Sequence, residues 1–402
     1  MTVRAATPML SYGRQSIDRQ DIDAVVTALQ ADLLTTGHSV PAFEGALCQA
    51  TGAAHTVAVC NGTAALHLAV RAAGLGPGTA TIVPAITFVA TANAVRLNGG
   101  EVIFADVDAE TGLMTPDTLL RALRTPNTLP IRAVMPVHYA GPMAGMAAIA
   151  GIAGDNGLTI IEDACHAIGS RTEGGAIAGN CKHSNMTCFS FHPVKTITTG
   201  EGGAITTNDP DLAHLLRRDR SHGLTRNALD FQNSDHAFDE NGAPNPWYYE
   251  LHDVGPNYRL TDIQAALGIS QLSRLQQFVR KRADLKDAYD ALLTSFAPIL
   301  RVPSADPDQH PAWHLYPVAI DFARAKVSRA SVVQKLAAMG IGTQVHYIPV
   351  HLQPYYRNRY GLAKLPGAEE FYARTLSLPL HTTMTTDDVE RVVICLAKVL
   401  RL

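Results

Sequence analysis

Between residues 56 and 220, short runs of apolar, often β-branched residues alternate with stretches whose apolar positions recur every three or four residues. Thr56–Cys60, Thr81–Pro84, Glu101–Val107, Ala133–Val137 and Leu158–Glu162 read as strands, with helices over Ala65–Ala73 and Val89–Leu97. That alternation is the signature of βαβ units around a mostly parallel sheet, so the fold class is α/β. One interval breaks the rhythm. The runs Thr187–Phe191 and Gly202–Thr207 flank a Pro, Thr and Gly loop with no room for a crossover helix, which predicts a meander inside the same sheet.

Farther along, residues 230–256 are rich in Asn, Asp, Pro and aromatics and read as an ordered surface excursion. Thr261-Asp262-Ile263-Gln264 resembles a capping box, and the pattern after it predicts one long helix through Leu293, a length that suits a connection between domains. The remainder, closed by the amphipathic stretch Asp387–Leu400, reads as a smaller α/β domain. The expected division is therefore residues 1–265, a large domain with the amino-terminal segment, and 266–402, the connecting helix with the smaller domain.

Composition narrows the class of function. Of 402 residues, 47% are apolar and only 17% charged, which suits a packed enzyme and excludes extensive disorder. A formal charge of -3 without a run of like charges offers no footprint for nucleic acid or an acidic membrane, so partners are expected to be small molecules or copies of the chain. Six dispersed cysteines form no CxxC pair and read as reduced thiols, with no metal site expected. With no leader-like amino terminus and no long apolar span, a cytoplasmic location is expected.

Three segments carry candidate chemistry. Asn61-Gly62-Thr63-Ala64-Ala65 joins a strand to a helix, where backbone N–H groups and a hydroxyl can receive a phosphate; taken alone, such residues are more often a plain turn and cap. Asp163 ends an apolar strand at the sheet edge where ligands gather, although strand-end Asp also serves as a helix cap. Lys195 lies in Ser190-Phe191-His192-Pro193-Val194-Lys195, ahead of Thr198-Thr199-Gly200-Glu201-Gly202-Gly203. A loop lysine is ordinarily solvated, and only on the order of one in a thousand is neutral at pH 7, so a nucleophilic lysine must be enclosed or covalently engaged. An anion site at one strand end and a carboxylate at another describe a receptor for a molecule with a phosphate and a basic nitrogen, the shape of pyridoxal phosphate.

The segments NGTAALHLA, PAITFVATANAV, EDACHAIGS, SFHPVK, TTGEGGAITTND and NYRLTDIQAALG, in that order, resemble the DegT/StrS sugar aminotransferases from about Leu10 to near the carboxyl terminus. Within the family, WYYELHDVGPNYRLTDIQAALGISQL and HPVKTITTGEGGA are most similar to the transaminases that form UDP-4-amino-4,6-dideoxy-N-acetyl-β-L-altrosamine for pseudaminic acid. The resemblance implies a pyridoxal-phosphate transferase of fold type I with a mostly parallel seven-stranded central sheet. It implies that Lys195 carries the cofactor covalently and that Asp163 pairs with its ring nitrogen. Thr63, the Ala64 backbone and Ser190 would hold the phosphate, Phe88 would stack on the ring, and His166 would sit near the phenolic oxygen. Asn257 would reach the phosphate from a neighbouring subunit, implying a homodimer. The segment with His346 and Tyr347 would approach the sugar nucleotide.

The implied reaction moves the amino group of L-glutamate, leaving 2-oxoglutarate, onto a UDP-linked 4-keto-6-deoxy-N-acetylhexosamine. Rivals are transfer to another keto-sugar nucleotide, a dehydratase, against which Lys195 argues because family dehydratases carry His there, and a ligand-sensing regulator without catalysis. The helix after Pro142 lacks the acidic residue that relatives often carry near its start, so its capping is open. Gly74-Leu75-Gly76-Pro77-Gly78 follows a helix and reads as a stop, not a dinucleotide fingerprint. His346 and His351 are five apart, which fits neither one helix face nor one strand face and argues against a metal pair. Met143 and Met146 read as core.

Overall fold

The apolar runs become the strands of one sheet: β1 His55–Val59, β2 Ala80–Pro84, β3 Glu101–Ala105, β4 Ile131–Val134, β5 Thr159–Asp163, β6 Met186–Ser190 and β7 Gly203–Thr207. The computed structural model describes residues 9–402. In space the strands run β1, β7, β6, β5, β4, β2, β3. Six point one way, and β7 runs antiparallel to both neighbours, so the expected meander is formed. Because the other six share a direction, their carboxyl ends open on one edge.

Side chains alternate across the sheet. Ile161 joins a core with Val57, Val59, Leu66, Leu68 and Ile205, while its neighbour Ile160 joins the core on the other face with Ile82, Ile103, Val134 and Ile149. The same alternation sends Asp163 to the face of Ile161 and Glu162 to the face of Ile160. Helices Gly62–Ala72 and Val89–Leu97 pack on the first face through Ala65, Leu66, Ala92 and Val95, which fixes what can approach Asp163. Full burial of one such aliphatic side chain stabilises the fold by about 1.5–3 kcal/mol.

A second core lies toward the carboxyl terminus. Strands β8 Leu300–Arg301, β9 Tyr316–Ile320 and β10 Thr375–Leu378 form an antiparallel sheet. Leu285, Tyr289, Leu336, Val392 and Leu396 from helices Leu275–Leu293, Arg329–Ala338 and Thr386–Leu400 pack with Val318 and Leu376 of this sheet. Leu10 also packs here and bridges to Ile341, tying the start of the described chain to this second core.

The helix expected to run unbroken from Thr261 to Leu293 is two helices, Asp262–Ser273 and Leu275–Leu293, joined at Arg274 with φ -103 and ψ 6. Its capping box between Thr261 and Gln264 is present as expected. Arg274 pairs with Asp18 at 2.6 Å and with Asp21, and its guanidinium stands 4.9 Å over the Phe278 ring. Leu272 and Leu275 serve one core while Tyr289 and Leu293 serve the other, and the break re-aims the second segment between them. The helix Met146–Asp155 begins at Gly145 with no side-chain cap, matching its bland sequence.

The excursion after Leu224 is organised by one carboxylate. Glu250 accepts from the backbone N–H groups of Gln232 and Asn233, both at 2.8 Å, from Tyr248 Oη at 3.0 Å, and pairs with His252 Nε2 at 2.9 Å. Trp247 and Tyr249 stay exposed on it. Among the described residues no helix is long and apolar enough to cross a membrane.

Candidate active site

The phosphate-sized site depends on a missing side chain. Asn61 caps the helix Gly62–Ala72 by accepting from the Ala64 N–H at 2.8 Å, so the Ala64 amide expected to hold a phosphate is already engaged. Gly203 on β7 pairs with Val59 on one side and Ser190 on the other, and a Cβ there would lie 2.5 Å from the Asn61 carbonyl. Gly62 touches Ser190: a Cβ on Gly62 would stand 2.7 Å from Ser190 Cβ and 3.1 Å from its Oγ. The structure thus brings Ser190 against the first turn of the helix, where Thr63 is exposed and the helix dipole favours an anion.

Asp163 is buried at the end of β5 with both oxygens held. Oδ1 accepts from the Cys165 N–H at 3.1 Å and Oδ2 from Thr91 Oγ1 at 2.7 Å. Glu162 faces the other side of the sheet, where His138 Nε2 lies 2.5 Å from Oε2 and Ser184 and Thr187 reach Oε1. Burial alone would raise the Glu162 carboxyl, but these hydrogen bonds hold it below its usual value. One strand end therefore carries a structural carboxylate and an available one.

Lys195 is half-buried in a loop whose own hydroxyls satisfy its backbone. Its N–H donates to the His192 carbonyl at 2.8 Å, Thr198 Oγ1 donates to the Phe191 carbonyl at 2.9 Å and accepts from the Gly200 N–H at 2.9 Å. Gln271, from the helix Asp262–Ser273, reaches the Thr198 N–H at 3.4 Å. Burial pushes the Lys195 amine below its ordinary value, and Cys165 and Asp163 pull it back up. A lowered amine is more often neutral, which is the form a nucleophile needs.

Around it stand aromatic and imidazole rings. His166 is buried, accepts the Ala140 N–H on Nδ1 at 3.3 Å and places Nε2 3.0 Å from Tyr347 Oη. Burial and then the Lys195 charge push His166 well below the usual histidine value, so it is neutral. Phe88 is 56% exposed, with its centroid 6.0 Å from that of Tyr347. His346 is held by Ser377 Oγ at 2.8 Å, and burial and Lys195 lower it to about 3. Asn257 is exposed beside Ser221 on the segment that continues to Tyr258 and Arg259 along β1. His351, five residues past His346, is instead buried near Glu369 and the Phe104 ring.

Several residues here escaped the sequence reading. Thr91 on Asp163 is one; its spacing of four from Thr87 at a helix start was the available signal. Tyr139, whose hydroxyl donates to the His346 carbonyl at 2.8 Å, and His314, whose ring lies 4.5 Å from that of His166, come from distant segments and had no local signal. Tyr12, 5.4 Å from the His346 ring, also borders the site.

An anion cradle, an acid, an enclosed amine and an exposed aromatic face fit a planar aldehyde with a phosphate arm and a basic ring nitrogen. The DegT/DnrJ/EryC1/StrS aminotransferase family profile matches residues 15–397. The spore coat polysaccharide biosynthesis protein SpsC of Bacillus subtilis (strain 168) is 37% identical over 394 residues, 97% of each chain. Among solved structures, Helicobacter pylori PseC, an aminotransferase of pseudaminic acid biosynthesis, superposes with a TM-score of 0.86 at 27% identity, covering 98% of this chain and 99% of its own. DesI, solved in the presence of its TDP-sugar product, gives 0.83 at 31% identity, covering 99% and 94%.

Proposed function

The chain belongs to the DegT/DnrJ/EryC1/StrS aminotransferase family, and from that premise we propose that it transfers the amino group of L-glutamate to C4 of a UDP-linked 4-keto-6-deoxy-N-acetylhexosamine. It is a pyridoxal-phosphate-dependent aminotransferase acting on sugar nucleotides, with the fold of that class. The observation that carries the proposal is a buried, doubly held Asp163 at a strand end, near enough for its charge to act on the Lys195 amine. The likeness to PseC supports an acceptor of the pseudaminic acid type, and that to SpsC supports a product used in surface polysaccharide.

Bound pyridoxal phosphate would supply an electrophilic carbon for amines and a ring that absorbs the electron pair left on carbon when a proton departs. The chain's residues do the rest. The Lys195 amine would hold the cofactor, and when free it would serve as the base and acid that takes up and returns the proton of the donor's α-carbon. The Asp163 carboxylate keeps a proton on the ring nitrogen. Thr63 and Ser190 orient the phosphate at the helix terminus, Phe88 covers one ring face, and His166 faces the phenolic oxygen. His346 and Tyr347 line the approach of the sugar, and Asn257 reaches the phosphate of a partner subunit in a homodimer.

The likeness to DesI favours a second reading in which the acceptor is a TDP-linked keto sugar. A panel of UDP- and dTDP-linked 3-keto and 4-keto sugars, incubated with glutamate and read by product mass, tests both. Amination of the UDP-N-acetyl 4-keto sugar at a kcat/KM well above the rest is expected; preference for a dTDP-linked acceptor selects the second reading. Lys195→Ala is expected to lower turnover by at least about a thousandfold. It should also remove borohydride labelling at that position.

A further inference from the structure

Asp163 does not stand alone at the end of β5. Thr91 Oγ1 lies 2.7 Å from Asp163 Oδ2 and 2.7 Å from Thr87 Oγ1, and both threonines are buried, Thr91 at 0% and Thr87 at 1% exposure. An ionised carboxylate only accepts hydrogen bonds, and a hydroxyl has one proton to give. If the Thr91 proton goes to Asp163, the contact between the hydroxyls is made by the Thr87 proton. The chain runs one way, from Thr87 to Thr91 to Asp163. Together with the Cys165 N–H on Oδ1 it occupies one acceptor position on each oxygen and fixes the plane of the carboxylate.

We propose that Thr91, supported by Thr87, is a positioning residue that aims Asp163 at the ring nitrogen of the cofactor. The inference rests on the assignment of Asp163 above and deepens it. The geometry that makes it possible is local: Thr87 and Thr91 are four residues apart across the start of the helix Val89–Leu97, and Thr91 Oγ1 meets both the Thr87 hydroxyl and the carboxylate at the end of β5. Phe88, between them, points its exposed ring outward, so one turn places a ring at the mouth and two hydroxyls behind the acid. A buried, β-branched threonine has few rotamers, which suits a group that must hold its partner still.

The test compares wild type with Thr91→Val, Thr91→Ser and Thr87→Val by titrating apoenzyme with pyridoxal phosphate and, separately, with its 1-deaza analogue, which has carbon in place of the ring nitrogen. Thr91→Val should raise the Kd for pyridoxal phosphate about tenfold, by loss of a hydrogen bond to a charged group. It should leave the Kd for the analogue near that of wild type. Thr91→Ser should restore tight binding, and Thr87→Val should fall between. Equal weakening toward both cofactors would mean that Thr91 only supports the fold, and an unchanged Kd for pyridoxal phosphate in Thr91→Val would also overturn the inference. If Thr91→Val does not fold, Thr87→Val must still discriminate between the two cofactors, or the inference fails. Wild type that binds both cofactors equally would instead overturn the role given to Asp163.

Discussion

His166 Nε2 and Tyr347 Oη are 3.0 Å apart, and the Ala140 N–H fills the other ring nitrogen of His166. A neutral imidazole that accepts on Nδ1 carries its proton on Nε2, so His166 donates to Tyr347 and the tyrosine proton is free to point elsewhere in the site. Tyr347→Phe would leave a buried N–H without an acceptor. The variant is expected to lose about 1–3 kcal/mol of stability. Denaturant unfolding of the apoenzyme checks it, and a midpoint equal to wild type would contradict this proton order.

His166, His314, His346 and His381 are all held below the usual histidine value, in each case chiefly by burial. Below a pH of about 6.5 the unfolded chain protonates these rings and the folded chain does not, so the unfolded state binds more protons and stability falls as pH falls. Each ring that stays neutral contributes a slope approaching about 1.4 kcal/mol per pH unit. Unfolding free energy should therefore decline from pH 7 toward pH 5, and His314→Gln should flatten the decline. A stability curve level across that range would refute the assignment.

For Lys195 the linkage runs in the same direction over a different window. Burial lowers its amine from the ordinary value of 10.5, so between that lowered value and 10.5 the unfolded chain again holds the extra proton. Apoenzyme should gain stability from this group as pH rises through the window. Lys195→Met, which keeps the length of the side chain without the charge, should be more stable than wild-type apoenzyme at pH 7. That advantage should vanish as pH approaches the unfolded value, as thermal midpoints on a pH series would show.

Gly62 and Ser190 meet so closely that a Cβ on the glycine would fall 2.7 Å from Ser190 Cβ. Gly62→Val must push the strand and the helix start apart, and the phosphate cradle with them. The expected result is a Kd for pyridoxal phosphate raised by about tenfold or more, since displaced charge-assisted bonds are the strong ones. Inorganic phosphate should also protect the wild-type apoenzyme against heat more than it protects the variant.

How much of this was legible depends on whether the cause lies near in sequence. The apolar runs fixed the strands, and Asp163 could be placed at a strand end because β5 is a continuous apolar run that stops there. The turn at Asn61 and the box at Thr261 were readable because a cap and its helix are neighbours. The break at Arg274 was not: the amphipathic pattern continues through it, and what re-aims the chain is Arg274 reaching residues more than 250 positions away in sequence. The role of Glu162 was hidden for a similar reason. Alternation places it opposite Asp163, but only the fold shows that His138, Ser184 and Thr187 surround it. At Ala64 the same motif supplies both a candidate phosphate donor and the Asn61 cap that its amide meets in the structure.

Asn257 offers the sharpest test of the dimer. It is exposed at the edge of its own chain, on a segment held by the His222 N–H to the Pro256 carbonyl at 2.9 Å and the Tyr258 N–H to the Arg220 carbonyl at 2.9 Å. A polar side chain on so well-pinned a backbone, facing outward, suits a reach into a neighbouring subunit. If it serves the partner's phosphate, a mixed dimer of Lys195→Ala and Asn257→Ala subunits has one site with both defects and one with neither. Each variant alone should be impaired. Mixing them after dissociation and reassociation should restore about a quarter of wild-type activity, because about half of the dimers are mixed and half of their sites are whole. Recovery far below that, with mixed dimers demonstrably formed, would place Asn257 in the site of its own chain.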